Sequence, residues 1–169
     1  MFGTQLKNAV EEVGIDTRNL VIDNEVHTTL AFVHTYPDGD RDFSFYRNPG
    51  ADMMLTKKDV DPDLIRNSKI FHFGTLSSTH EGVREATRYA LDIAREAGCI
   101  ITFDPNLRPP LWKSLDDARA EIEYGLAHCD VLKISDNEVE FLFGTTDYDT
   151  GAALIEEKYH IPLVLITMG

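Results

Sequence analysis

Basic residues are scarce in this chain: 16 Lys and Arg stand against 29 Asp and Glu, a formal charge of −13 over 169 residues. Nothing in the sequence offsets the repulsion a polyanion would feel, which argues against a nucleic-acid backbone or an anionic membrane surface as partner. Long apolar runs are missing too, none approaching the roughly 18 residues of a membrane span. The opening Met1-Phe2-Gly3-Thr4-Gln5-Leu6-Lys7-Asn8 lacks the apolar stretch and the small-residue cleavage site of a secretory signal. Cysteine is limited to Cys99 and Cys129, with no Cys-x-x-Cys pair, and the six His residues show no metal spacing. A disulfide scaffold and a thiolate zinc site are therefore disfavoured, and a reducing, cytoplasmic setting is the default expectation. The nucleophile string Gly-x-Ser-x-Gly and the dinucleotide string Gly-x-Gly-x-x-Gly are both absent, which removes the usual hydrolase and nicotinamide readings. What is present, 43% hydrophobic and 27% charged residues, is a globular composition of about one domain's length.

Periodicity divides the chain into two styles. Phe2, Leu6, Ala9, Val10 and Val13 form one apolar stripe, so a helix is expected up to Gly14. Val26–Thr35 and Asp42–Arg47, rich in β-branched and aromatic residues, flank Pro37-Asp38-Gly39, a turn signal with a mechanism: Pro presets φ, Asp bonds its own backbone and Gly accepts positive φ. This hairpin is marginal by itself and needs a cover. From residue 69 onward, strand and helix alternate. Strands are expected at 69–73, 100–103 (buried on both faces), 131–134 and 163–167. Helices are expected after a Ser78/Glu81 capping box, after the Ser114 cap, near 136–143 and near 150–159. The pattern reads as right-handed βαβ units of a doubly wound α/β sheet. Because the helix at the start has no strand before it and the last strand has no helix after it, truncation at both ends is the simplest expectation.

In such sheets ligands gather beyond the carboxyl ends of the strands. The loop Asp104-Pro105-Asn106-Leu107-Arg108-Pro109-Pro110-Leu111-Trp112 places a carboxylate, an amide and a guanidinium at alternate positions after a strand. All three can converge on one polar ligand. The plainer alternative is an ion pair of Asp104 with Arg108, with Asn106 bonding the backbone. Ser135-Asp136-Asn137-Glu138 reads either as a capping box or as a Glu that orders water around a divalent ion. His72 is expected as a satisfied buried imidazole. Gly50-Ala51-Asp52 is set aside, since no clear helix follows it.

Taken in order, the hairpin, F-Y-R-N-P-G-A-D (Phe45–Asp52), D-x-N-x-R-x-x-x-W, V-L-K-I-S-D-N-E-V-E and L-V-L-I-T-M-G resemble the ribokinase-like (PfkB) carbohydrate kinases, with fructokinase nearest in pattern. The resemblance runs through all 169 residues. It implies a partial ribokinase-like three-layer doubly wound domain, with residues 26–48 as a β-hairpin lid that closes over a sugar and pairs with a partner's lid in a homodimer. It implies ATP and Mg²⁺ as cofactors, with a monovalent cation as a further expectation. By the same resemblance Arg47, Asn106 and Arg108 face the sugar; Asp104, Lys133, Ser135, Thr167 and Gly169 lie toward the nucleotide phosphates; and Glu138 organises the metal through water. Ser135 stands where the family's motif has Asn. The family's N-terminal Gly-Gly motif and C-terminal G-A-G-D motif, which carries the catalytic base, have no counterpart here. The implied activity is phosphoryl transfer from ATP to a sugar hydroxyl, with these residues inactive alone. A 2-keto-3-deoxygluconate kinase, a ribokinase and a non-catalytic sugar-binding module are the alternatives.

Overall fold

Pro37 and Gly39 make the hairpin as expected: Gly39 takes φ +90, its N–H donates to the Tyr36 carbonyl, and the Tyr36 N–H donates to the Asp40 carbonyl. In this computed structural model, which describes residues 2–168, helix α1 (Phe2–Glu12) precedes strands β1 (Leu30–Thr35) and β2 (Arg41–Tyr46), paired antiparallel from Leu30↔Tyr46 to Thr35↔Arg41. The first arm is therefore shorter than the Val26 start expected. Asp23 accepts the N–H groups of Glu25 and Val26 and turns that segment into a loop. Phe43 and Phe45 share one face of the hairpin and stack, ring centroids 6.0 Å apart.

The short α2 (Pro62–Arg66) leads into β3 (Ile70–Gly74), followed by α3 (Glu81–Glu96), β4 (Ile100–Asp104), α4 (Leu115–Leu126), β5 (Val131–Ser135), α5 (Asp136–Phe143), α6 (Tyr148–Tyr159) and β6 (Leu163–Thr167). The four strands run parallel in the order β3-β4-β5-β6. Strands adjacent in sequence are adjacent in the sheet, so the described residues supply one winding of a doubly wound arrangement. The point where strand order reverses is not among them.

Helices α3, α4, α5 and α6 all pack on one face. Phe73, Ile101, Phe103, Leu132 and Ile134 point into a single core with Leu91 and Ile93 of α3, Ile122 and Leu126 of α4, Val139 of α5 and Ile155 of α6. The fit is close at Gly125 of α4, where an added Cβ would come within 2.2 Å of the Phe103 ring. Burying each such aliphatic or aromatic side chain stabilises by about 1.5–3 kcal/mol. The alternate residues, Ile70, Ile100, Leu163 and Leu165, lie exposed on the other face. The expectation that β4 is covered on both sides is thus corrected: Ile101 and Phe103 are buried, Ile100 is exposed. His72 shares the exposed face, where its Nδ1 lies 2.8 Å from Thr102 Oγ1; it is satisfied but not buried.

Helix ends follow local chemistry with one exception. Ser114 caps α4 by accepting the Asp117 N–H, Asp147 caps α6, and Gly144 ends α5 at φ +69. The Ser78/Glu81 box does not form. Thr75–Ser78 instead makes a single 3-10 turn, and His80, with no side-chain cap bond, precedes α3.

Candidate functional site

The carboxyl ends of β3 to β6 lie along one edge, with Gly74 opposite Asp104 and Ser135 opposite Thr167. This register gathers four of the sequence-chosen residues on neighbouring strand ends: Asp104 on β4, Lys133 and Ser135 on β5, Thr167 on β6. Lys133 Nζ stands 3.2 Å from Asp104 Oδ2. That pair replaces the Asp104–Arg108 pairing considered above; Asp104 also accepts the Asn106 N–H at 3.1 Å, a local turn of the kind Asp favours. Gly169 lies outside the described residues.

The loop beyond Asp104 is held at two points on either side of Asn106. Before it, the Pro105 carbonyl accepts from both the Thr75 N–H at 3.2 Å and the Thr75 hydroxyl at 2.5 Å, at a buried position. After it, the Leu107 N–H donates to Glu138 Oε1 at 2.7 Å. Asn106 itself sits at φ +48. Asn tolerates the left-handed region better than most residues, yet the conformation still costs on the order of 1 kcal/mol and persists only where the surroundings enforce it.

Arg108 turns toward the hairpin. Its guanidinium carbon lies 5.2 Å from the centroid of the Phe43 ring, a cation–π contact, and Nη1 donates to the Leu107 carbonyl at 3.0 Å. The hairpin thus docks on the rim where the loop emerges. The three head groups of the D-x-N-x-R string do not all meet, however: Asp104 is drawn to Lys133 and Arg108 to Phe43.

Arg47 is nearly buried, 6% exposed in its side chain, and its fork is engaged by the protein. Nε donates to Asp52 Oδ2 at 2.7 Å, Nη1 to the Thr79 hydroxyl at 2.7 Å and Nη2 to the Leu76 carbonyl at 3.0 Å. Asp52, set aside in the sequence as part of a decoy, also accepts from Thr29 and so ties the end of β2 to the segment before β1. Asp52, Thr79 and Thr75 are the site residues that spacing did not reveal. Each acts on a partner 5 to 32 positions away, and no local periodicity records such contacts. Beside Arg47 opens a cleft of about 640 Å³, walled by Phe45, Thr79, His80, Arg84 and Trp112 among others; Asn106 and Arg108 are not in its walls.

Glu138 forms the capping box read in the sequence. Its Oε2 accepts the Ser135 N–H and hydroxyl, both at 2.9 Å, while the Ser135 hydroxyl accepts the Glu138 N–H at 3.4 Å. With Leu107 on Oε1, both oxygens of this buried carboxylate are occupied. Among the described residues no group of three or more His, Cys, Asp or Glu side chains is placed to hold a metal ion. The described residues thus offer no cluster for direct coordination of a divalent ion, whereas the role implied for Glu138 is through water.

Comparison with known proteins bears on the fold and the family. Fructokinase-2 of Solanum lycopersicum is 40% identical over 168 residues, 99% of this chain and 51% of that protein. The crystal structure of a fructokinase from Xylella fastidiosa superposes with a TM-score of 0.86 at 32% identity, covering the whole of this chain and 54% of that one. A fructokinase from Vibrio cholerae solved with fructose, ADP and a calcium ion superposes with a TM-score of 0.85 at 26% identity, over 99% of this chain and 53% of that one. The chain spans about half the length of the curated relatives it matches. The fold is the ribokinase-like α/β fold, a mostly parallel sheet with helices and a two-stranded antiparallel hairpin. The description pfkB family carbohydrate kinase matches residues 1–169, and the chain belongs to that family.

Proposed function

We propose that the protein carrying this chain is an ATP-dependent sugar kinase of the fructokinase type, which transfers the γ-phosphoryl group of ATP to a sugar hydroxyl. The observation that carries the reading is the docking of the hairpin on the 104–112 loop through Phe43 and Arg108, at the edge where Asp104 meets Lys133. A lid docked beside strand-end polar groups is an arrangement suited to holding a small polar substrate away from water.

In this reading Asn106 and Arg108 face the sugar, with the Arg108 fork also within reach of the phosphoryl group as it moves. Lys133, Ser135 and Thr167 line the phosphate side, and Asp104 orients Lys133. Phosphoryl transfer depends mainly on alignment and on positive charge around the moving group, and Arg108 and Lys133 supply two such charges. Arg47 has one Nη1 hydrogen left for a sugar hydroxyl; its larger part is to fasten the base of the lid. In this reading the base that takes the proton from the sugar hydroxyl lies outside these 169 residues, and a Mg²⁺ bound with ATP would neutralise charge on the phosphates. The outer face of the hairpin, with Phe32 and Tyr46 exposed, suits pairing with a second lid in a homodimer.

A substrate carboxylate calls for a free planar fork; Arg47 already gives its fork to Asp52, which leaves Arg108 as the group that an acidic sugar would have to engage. Turnover of fructose, ribose and 2-keto-3-deoxygluconate by the full-length protein, followed as ADP release, tests the assignment. Fructose gives the highest kcat/KM, and the 169 residues alone release no sugar-dependent ADP. A preference for the keto-deoxy acid, or robust turnover by the 169 residues, overturns it.

A further inference from the structure

Two backbone clamps flank Asn106, and they come from different strand ends. Thr75, just after β3, holds the Pro105 carbonyl. Glu138, in the first turn of α5, holds the Leu107 N–H. Between them lies a residue in a left-handed conformation that it would not keep unaided. Glu138 is fixed in turn by Ser135 at the end of β5, on the phosphate side of the proposed site.

We infer that Glu138 is a positioning residue: its carboxylate fastens the Asn106–Arg108 loop to the end of β5, so that the sugar-facing groups and the phosphate-facing groups keep one fixed relation. This assigns Glu138 to the backbone of a loop 31 positions away. Thr75 is the matching clamp on the other side.

Glu138→Gln keeps the shape but leaves one acceptor oxygen where there were two. The Leu107 or the Ser135 N–H must then face an amide donor. In the full-length protein, hydrogen exchange at that amide rises by roughly tenfold or more, while amides in the middle of β5 keep their protection. Glu138→Asp, one methylene shorter, keeps the charge and loses the reach to Leu107; it carries the same comparison should Glu138→Gln unfold the chain.

The kinetic arm rests on the sugar-kinase reading. There Glu138→Gln raises the sugar KM roughly tenfold, and Thr75→Val, which removes no carboxylate, moves the sugar KM in the same direction. Unchanged exchange at both amides overturns the inference, as does a sugar KM that neither variant moves. If the unmodified protein phosphorylates no sugar, the proposed function falls, and the exchange measurement still decides whether the clamp exists.

Discussion

Helices α1 and α3 carry the same kind of apolar stripe and meet opposite fates. In α3, Val83, Ala86, Ala90, Ile93 and Ala94 all enter the core, joined by Leu91. In α1 no residue is buried; Leu6 remains 56% exposed, and Val13, just past the end of the helix, 74%. The hairpin repeats the contrast against the centre of the parallel sheet: neither β1 nor β2 contains a buried residue, while β4 and β5 bury alternate side chains, β3 buries Phe73 and the edge strand β6 buries none. A stripe states which side of an element seeks cover. It does not state what covers it. For α3 the cover is β3 and β4, brought close by short right-handed crossovers; for α1 the described residues offer only partial cover, leaving Val10 half-buried.

Chemical access is the sharpest probe of that contrast. Burial pushes the Cys129 thiol, at the entrance to β5, up to about 12, with the neighbouring Asp130 charge adding to the effect. A thiolate is the reactive form, so alkylation of Cys129 in the native protein at pH 8 should be on the order of a thousandfold slower than that of a free thiol. Rapid labelling, followed by mass spectrometry of the Cys129 peptide, would mean that the packed half opens readily. Next in size is a pair of truncations. Leu91→Ala removes a fully buried side chain and should cost about 3 kcal/mol in a denaturant titration. Leu6→Ala in α1 should change stability by less than about 1 kcal/mol. Equal losses would show that the α1 stripe is covered in solution and would dissolve the distinction.

The same divide separates what could be read from the sequence from what could not. Helix α5 at Asp136–Phe143 and strand β6 at Leu163–Thr167 match their expected bounds because their signals are local: a cap, a glycine in the left-handed region, an apolar run. The Ser78/Glu81 box misled because Thr75–Ser78 had another use, the 3-10 turn that brings Thr75 onto Pro105. At the site, residue types were legible and their partners were not. Asp104 chose Lys133 over Arg108 because parallel pairing of β4 with β5 sets Lys133 beside it, and register between strands is written in the packing of the whole sheet. Glu138 could be recognised as a capping residue from its own four-residue string. Its second bond, to Leu107, depends on where a loop from another strand passes.

Between the packed interior and the bare stripe lies chemistry that works without burial, and the cap of α6 tests it. Asp147 is fully exposed, yet its bonds from Thr150, side chain first and backbone second, hold its carboxyl below the ordinary value. A folded-state value below the unfolded one stabilises the fold above the unfolded pKa, and that contribution is lost as pH falls through the folded value. Asp147→Asn keeps a capping oxygen and removes the titration. The two proteins should therefore differ in denaturant midpoint at pH 7, where Asp147 is ionised and also favoured by the positive end of the α6 dipole. They should converge as the pH is lowered below about 4, the ordinary aspartate value. A difference that persists undiminished at pH 2 would show that the cap acts through shape alone, and that the carboxylate charge has no part in starting the helix.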